Sequence, residues 1–217
     1  AYVKVEDLRY GTNPHQPAAY YRPADGEGLV LGAYRMLKTG KAGLSQTNLE
    51  DMQHALGILK FMPLPACAVM KHCNPSGVAL QNGGQPLVEV YQRARDADAQ
   101  AAFGSVCAFN REVDGDTAAE IMQTIVECVV APAFAPGALE AFQDADRFKR
   151  NRDIRIIQTP GFDALPKYVD DTPRAWEMKV FDDGSIVLAK PYLSRVRSTA
   201  DLVPAYNDHP KKGRMDI

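Results

Sequence analysis

The sequence has little of what marks a secreted, membrane-spanning or nucleic-acid-binding protein. It holds one tryptophan and four cysteines in 217 residues, and no two cysteines form the Cys-x-x-Cys pair of a zinc ribbon or a redox site. It shows neither a signal peptide nor an apolar run of membrane-spanning length. The formal net charge is −2, which gives no reason to expect nucleic acid or an anionic membrane as a partner. We therefore expect a soluble, cytoplasmic protein.

Several common site signatures are also missing. The sequence has no Walker loop, no Gly-x-Gly-x-x-Gly fingerprint and no Gly-x-Ser-x-Gly elbow. It lacks the His-x-Glu and Pro-Cys-x-x-Cys pattern of zinc deaminases, and we predict no metal site. Cys67, Cys107 and Cys128 lie in or beside apolar runs, which is typical of buried free thiols in a reducing compartment.

Helical and strand patterns alternate through most of the chain. Helical spacing or capping residues predict helices over residues 47–60, 86–96, 117–124 and 137–142, with capping boxes at Thr47/Glu50 and Thr117/Glu120. Short apolar runs predict strands over residues 66–70, 105–109, 128–132 and 154–157. The alternation indicates an α/β fold with a mainly parallel sheet and helices on its faces.

The two ends of the chain have a different character. Residues 1–24 contain Gly and prolines and predict a loop or extended arm, followed by a short strand around residues 29–31. Near the other end, residues 176–181 and 186–190 flank Asp-Asp-Gly-Ser and predict a C-terminal β-hairpin. We expect residues 198–217 to form a polar tail or linker.

Lys71 and His72 are the first candidate for chemistry. They follow the predicted strand 66–70, so they emerge where that strand ends. A histidine titrates near pH ~6.5 and can accept a proton at neutral pH, while a neighbouring ammonium group can stabilise negative charge that develops on oxygen. A surface lysine and a hydrogen-bonded turn histidine explain the same pair, and spacing alone slightly favours that explanation.

A second candidate is the turn that carries Phe103, Gly104 and Ser105 before the next strand. A glycine there suits the close approach of backbone to a ligand, and a phenylalanine can lie against a flat ring. An ordinary loop glycine beside a core phenylalanine is the simpler explanation of this pattern by itself.

Arg9 and Tyr10 are the third candidate, because an arginine fork beside a phenol suits a phosphate or carboxylate. Most Arg-Tyr pairs bind neither group, so the pair is weak evidence when taken alone. Cys73, beside His72, invites a thiol-nucleophile hypothesis, but neighbours in a turn seldom point at each other and no orienting third group is evident.

Taken together, four segments resemble one family. They are residues 8–16 (LRYGTNPHQ), 69–79 (VMKHCNPSGVA), 102–111 (AFGSVCAFNR) and 127–132 (ECVVAP). In order and spacing they resemble the AICAR transformylase half of the bifunctional purine biosynthesis proteins, where AICAR is 5-aminoimidazole-4-carboxamide ribonucleotide. The match extends over some two-thirds of the chain. It implies a three-layer α/β/α fold like that of cytidine deaminase, without the zinc site.

The resemblance also implies a reaction and a co-substrate. The reaction is formyl transfer from 10-formyltetrahydrofolate to the 5-amino group of AICAR. By position, His72 resembles the family's proton acceptor and Lys71 its oxyanion stabiliser. Arg9 and Tyr10 resemble its nucleotide-binding pair.

Further substrate contacts are implied at the other matched segments. Gly104 matches a backbone contact to the nucleotide, and Glu127 matches an acidic position that binds the ribose hydroxyls. Phe103, Ser105 and Asn74 stand in the same motifs and are candidate substrate-binding residues.

The resemblance is to one part of the family's chain. Residues 1–197 match the first of two transformylase subdomains, so we expect a homodimer or a partner chain that carries the second. Two alternatives stay open. A short homologue could close formyl-AICAR to IMP, which needs no folate, or it could bind AICAR without catalysis.

Overall fold

A mixed six-stranded β-sheet organises the first part of the chain. The computed structural model describes residues 1–163, 165–172, 176–202, 208–209 and 213–214, and the chain divides into two compact units, Ala1–Ala164 and Leu165–Ile217. The helices and strands of the first unit are β1 (Tyr2–Leu8), β2 (Ala18–Pro23), β3 (Arg35–Lys38), α1 (Gln46–Leu59), β4 (Ala66–Lys71), β5 (Asn74–Leu80), α2 (Leu87–Asp96), β6 (Ser105–Phe109), α3 (Gly115–Ile121), β7 (Val126–Ala131), α4 (Pro136–Gln143) and β8 (Arg155–Gln158).

The strand order of the large sheet is β3-β8-β7-β6-β4-β5. Strands β6, β7 and β8 pair in parallel, and β4 runs antiparallel to both of its neighbours, so β5 points the same way as the parallel set. Four of the six strands thus share one direction, in agreement with the predicted mainly parallel sheet. The other two strands, β4 and β3, run in the opposite direction. Strand β4 is joined to β5 by two residues, which are too few for a parallel crossover, and β3 pairs with β8 at the edge of the sheet.

Helices cover both faces of this sheet and confirm the predicted α/β/α layers. One face carries α2, α3 and α4, whose apolar side chains join those of the strands in one buried cluster. The alternate strand residues face α1, which packs against β4 and β6. The predicted buried face of α2 is confirmed, since its buried residues are Leu87, Val90, Tyr91 and Ala94.

Apart from the strand expected around residues 29–31, the predicted helices and strands of this unit form within a few residues of their expected bounds, but the capping residues differ. The box of α1 joins Ser45 to Asn48, not Thr47 to Glu50, and the Thr47 hydroxyl lies 2.8 Å from that of Ser45. Asp114 caps α3 by accepting the Thr117 N–H at 2.8 Å, so α3 begins at Gly115. In both cases a good capping residue stands two or three positions earlier than the predicted one, and the helix begins there.

The first 38 residues contain more regular structure than the sequence indicated. The predicted arm forms an antiparallel pair, β1 and β2. The strand predicted around residues 29–31 is wrong, because Leu31–Ala33 form a 3-10 turn and the strand follows as β3. Pairing with β8, rather than local β propensity, decides where the strand lies.

The second unit contains the predicted hairpin. Strands β9 (Glu177–Val180) and β10 (Ile186–Ala189) pair antiparallel, and β11 (Asp208–His209) and β12 (Gly213–Arg214) form a short pair described by backbone alone. The division between units falls near residue 164; the boundary expected at 197/198 stays a prediction, and much of that tail lies outside the described residues. None of the helices in the described part of the chain is long and apolar enough to cross a membrane.

Candidate functional site

The hairpin turn between β4 and β5 has an unusual backbone. Lys71 pairs with Asn74, and the two residues between them, His72 and Cys73, have φ values of +52° and +66°. Positive φ at both central positions defines a type I′ turn, which strongly favours Asn and Gly. Non-glycine residues in the left-handed region are strained and concentrate at functional sites. The stretch singled out in the sequence is therefore the one held in a costly conformation.

The side chain of Asp51, on α1, is hydrogen-bonded to the backbone of this turn. Its side chain is buried, and its Oδ1 accepts the backbone N–H of Cys73 at 2.5 Å. Burial raises the pKa of Asp51, while the hydrogen bond from Cys73 and the charges of His72 and Lys71 act in the opposite direction. The carboxyl group thus links the helix on one face of the sheet to the backbone of the turn.

Cys73 itself is poorly suited to act as a nucleophile. Its thiol lies 3.9 Å from the Glu50 carboxylate. Burial and the charges of Asp51 and Glu50 raise the pKa of the Cys73 thiol, so the reactive thiolate is disfavoured. The geometry agrees with the sequence in setting a cysteine enzyme aside.

Lys71 reaches across to the turn before β6. Its Nζ donates to the carbonyl oxygen of Gly104 at 2.6 Å. Gly104 has φ +66°, and a Cβ at this position would lie 3.1 Å from Lys71 Nζ and 3.7 Å from Glu127 Oε1. The glycine suits its left-handed backbone, and a Cβ here would crowd Lys71 Nζ while lying at ordinary contact distance from Glu127. An ammonium group has three donors, so two remain for a ligand.

A β-bulge directs Glu127 toward the same place. Ser105 pairs with Val126, but the following residue of β6 pairs with Cys128. Glu127 is therefore an additional residue on β7, and a bulge of this kind breaks the alternation of side chains. Val126 joins the core on the α2–α4 face, whereas Glu127 Oε2 accepts from Asn48 Nδ2 of α1 at 3.1 Å.

Arg9 and Tyr10 lie against the start of α1. The Arg9 N–H donates to the Leu44 carbonyl at 2.7 Å, and the Gln46 N–H donates to the Tyr10 carbonyl at 3.0 Å. The Arg9 guanidinium carbon is 5.0 Å from the centre of the Tyr10 ring. The N-terminal segment thus presents an exposed cation at the end of α1 that also carries Asn48 and Asp51.

The remaining candidates occupy different environments. Phe103 is 63% exposed beside Gly104, so its ring is free to contact a ligand. Asn74 donates from Nδ2 to the His72 carbonyl at 2.9 Å and braces the turn. Ser105 is buried with its hydroxyl 3.6 Å from the Cys107 sulfur, within the sheet. The role of each in substrate binding stays a prediction.

Sequence reasoning missed Asn48 and Asp51. Both are buried on α1, and both contact the predicted site. A signal was present, because they are polar residues on a helix face that otherwise buries Leu49, Met52 and Leu56. A buried polar residue needs a partner, and here the partners are the site's own groups.

No cluster of three or more His, Cys, Asp or Glu side chains suited to a metal ion occurs in the part of the chain that the structure describes. The groups that meet around Gly104 are instead the Lys71 ammonium group, the Glu127 carboxylate and the glycine backbone, and the exposed His72 follows Lys71 in the chain. Such a set suits a polar organic ligand with hydroxyl and carbonyl groups.

Comparison with known proteins agrees with this description. A family model described as "AICARFT/IMPCHase bienzyme" matches residues 1–203. The chain is 43% identical over 159 residues to the "Bifunctional purine biosynthesis protein PurH" of Sorangium cellulosum (strain So ce56). That match includes 73% of this chain and 29% of the relative, so the chain spans less than a third of that protein's length.

Proposed function

The chain belongs to the AICARFT/IMPCHase bienzyme family, and from this we propose that it acts in purine biosynthesis, in formyl transfer from 10-formyltetrahydrofolate to the 5-amino group of AICAR. The observation that carries the proposal is the strained turn that places the exposed His72 next to Lys71, whose Nζ lies against Gly104. The chemistry needs a base and a cation close to one another, and His72 and Lys71 are adjacent residues at this turn.

The amine of AICAR is a weak nucleophile because its lone pair is delocalised into the ring. In the proposed reaction, the amine nitrogen bonds to the formyl carbon, and His72 accepts the proton that the amine loses. Lys71 stabilises the negative charge on the formyl oxygen in the tetrahedral intermediate. The bond to N10 of the folate then breaks, and N10 receives the proton from His72.

The neighbouring residues suit the nucleotide. A carboxylate accepts hydrogen bonds from two ribose hydroxyls, and Glu127 is held for that role by Asn48. Arg9 and Tyr10 offer a cation and a hydroxyl to the phosphate. The exposed ring of Phe103, beside the backbone of Gly104, offers a surface for the imidazole ring.

The folate co-substrate needs further protein surface in this proposal. Because the residues assigned above all serve AICAR, we propose that a second copy or a partner chain contributes to the folate site. The proposed assembly is thus a homodimer, or a pair with a chain that matches another part of the curated relative.

Two measurements test the proposal. Calorimetry with AICAR should show binding that weakens about tenfold or more in Arg9→Ala and Glu127→Gln, because each loses a charge-assisted hydrogen bond. Incubation with AICAR and 10-formyltetrahydrofolate should yield formyl-AICAR, from the chain alone or from the chain with its partner. AICAR binding without product, and without any effect of His72→Ala on a rate, would instead identify a binding module.

A second candidate is supported by the matched family's description, which names both activities. In that case the chain closes formyl-AICAR to IMP without folate. Formation of IMP from formyl-AICAR by the chain in the absence of folate, with no formyl transfer, would favour it.

A further inference from the structure

We propose that Asp51 is a positioning residue for His72: by accepting the backbone N–H of Cys73 in the β4–β5 turn, its buried side chain holds the turn left-handed and so sets the direction of the imidazole. The inference rests on the proposed role of His72 as the base. It concerns a residue of α1 that lies outside the matched motifs and became visible only in the fold.

The turn needs an external support. A type I′ turn with Asn-Gly is stable through its own residues, because Gly adopts positive φ freely and Asn more readily than most residues. Histidine adopts positive φ more readily than most residues but cysteine does not, yet both His72 and Cys73 adopt it. Pairing of Lys71 with Asn74 closes a two-residue loop, which favours a type I′ or II′ turn but does not by itself choose positive φ at Cys73.

Asp51 provides that support through the backbone. Its Oδ1 accepts the Cys73 N–H at 2.5 Å. Only 6% of Asp51 is exposed, and it lies on a helix that packs against β4. A group fixed in this way can hold a strained segment that local sequence does not favour.

The hydrogen bonds of the turn leave the imidazole free. Asp51 bonds to the main-chain N–H of Cys73, and Asn74 bonds to the His72 carbonyl, so both hold the peptide and neither occupies the ring. His72 remains exposed. The arrangement suits a base whose main chain is fixed while its exposed side chain can meet a substrate.

Four variants distinguish the effect of the Asp51 hydrogen bond on the turn backbone from the effect of the Asp51 charge. Asp51→Ala removes the acceptor. Asp51→Asn keeps an oxygen in the same place and removes the charge. Glu50→Gln is the matched control, since the adjacent carboxylate contacts the Cys73 thiol and not the amides. Asp51→Ala combined with Cys73→Gly restores a residue that adopts positive φ without support.

The first readout is independent of activity. Amide hydrogen exchange of Cys73, measured by NMR on the whole chain, should become at least about tenfold faster in Asp51→Ala, because the amide loses its acceptor. It should stay within about threefold of wild type in Asp51→Asn and Glu50→Gln. Unchanged exchange and unchanged backbone chemical shifts at residues 72 and 73 in Asp51→Ala would overturn the proposal.

The second readout is the formyl-transfer rate of each variant, measured together with its affinity for AICAR. Asp51→Ala should lower kcat by about 10- to 100-fold with AICAR affinity within about threefold, since a misplaced base slows chemistry more than binding. The Cys73→Gly double variant should recover most of the loss, and Asp51→Asn should retain most of the rate. Failure of the glycine to restore kcat, or a full rate in Asp51→Ala, would contradict the proposal.

The two readouts also separate this inference from the proposed function. If wild type neither binds AICAR nor transfers a formyl group, the proposed function fails, while the exchange data still decide whether Asp51 holds the turn. If Asp51→Ala does not fold, Asp51→Asn and the double variant answer the same question. In that case, fast Cys73 exchange in Asp51→Asn, which keeps the acceptor, would overturn the inference.

Discussion

Two hairpins of this protein reach a left-handed backbone by opposite means. Between β9 and β10, Gly184 has φ +83°, and the loop is closed by hydrogen bonds of its own residues, including those from the Ser185 hydroxyl and N–H to Asp183. Between β4 and β5, His72 and Cys73 take positive φ and depend on Asp51, which precedes Cys73 by 22 positions along the chain. One turn is specified locally, and the other is imposed by the packing of a helix.

The difference shows which of the two turns depends on the rest of the fold. Asp-Gly is a good turn sequence and serves to reverse the chain. His-Cys is a poor turn sequence, and its conformation has to be maintained from outside. A turn that local sequence disfavours and the fold maintains is a candidate functional feature, and the proposed base, His72, lies in this turn.

The largest expected effect comes from removing the imidazole. His72→Ala should lower the formyl-transfer rate by about 100-fold or more, because general base catalysis typically contributes that much. AICAR affinity should change little, since the proposed ring contact forms during the reaction. Ser185→Ala in the other turn is the matched control and should leave the rate unchanged. An equally active His72→Ala would remove the functional distinction between the two hairpins.

Gly104→Ala should have the next largest effect. The new methyl group would lie 3.1 Å from Lys71 Nζ at a residue with φ +66°. We expect a loss of about 1–3 kcal/mol in the free energy of unfolding from backbone strain alone, with weaker AICAR binding because Lys71 must move. Urea unfolding and calorimetry measure the two losses. A stable Gly104→Ala that binds AICAR as tightly as wild type would show that the close approach of Lys71 has no role.

Removing the glycine from one turn and adding a glycine to the other should change the free energy of unfolding by smaller amounts, with opposite signs. Gly184→Ala should lower the free energy of unfolding by about 1 kcal/mol, although its Cβ would meet open space, because alanine is strained at φ +83°. Cys73→Gly should raise it by up to about 1 kcal/mol, since glycine adopts φ +66° readily. Thermal or urea unfolding of both variants tests the pair. If Cys73→Gly destabilises, the thiol packs more favourably than its backbone strain costs.

The smallest expected effects are shifts of stability with pH, again opposite in the two turns. Burial raises the pKa of Asp51 in the folded protein, so its stabilising contribution is complete below the pKa of the unfolded chain, about 3.9, and is lost as pH rises through the folded value. Hydrogen bonds from Ser185 lower the pKa of Asp183, so its contribution is present above pH ~4 and is lost as pH falls through the folded value.

Urea unfolding at stepped pH compares wild type with Asp51→Asn and Asp183→Asn. Relative to wild type, Asp51→Asn should gain stability as pH rises from about 4, and Asp183→Asn should lose it. Equal slopes for the two variants would show that both carboxyl groups sit in similar surroundings.

Much of the fold was predictable because it follows local patterns. The apolar spacing of α2 identified its buried face, and the apolar run at residues 105–109 identified β6. The strand near residues 29–31 was mispredicted because its position depends on pairing with β8, which is far away in sequence. The capping residues were misplaced by two or three positions because several nearby side chains are capable of capping.

The candidate site was predictable in part. Lys71, Gly104 and Glu127 were identified from motifs. In the structure, the side chains of Lys71 and Glu127 both lie beside Gly104. Asn48 and Asp51 were not identified, because a helix pattern shows which residues are buried but not what they meet across the sheet. The bulge that turns Glu127 toward α1 is likewise a property of pairing between two strands.

The sequence by itself determined the α/β class, the bounds of most helices and strands, and the identity of the charged residues at the strand ends. These features arise from periodicity and local chemistry, which act over a few residues. Only the tertiary structure decided how His72 is held. The left-handed turn at His72 and Cys73 runs against local preference, and it persists because a helix packed on the sheet places the buried carboxyl group of Asp51 beneath it.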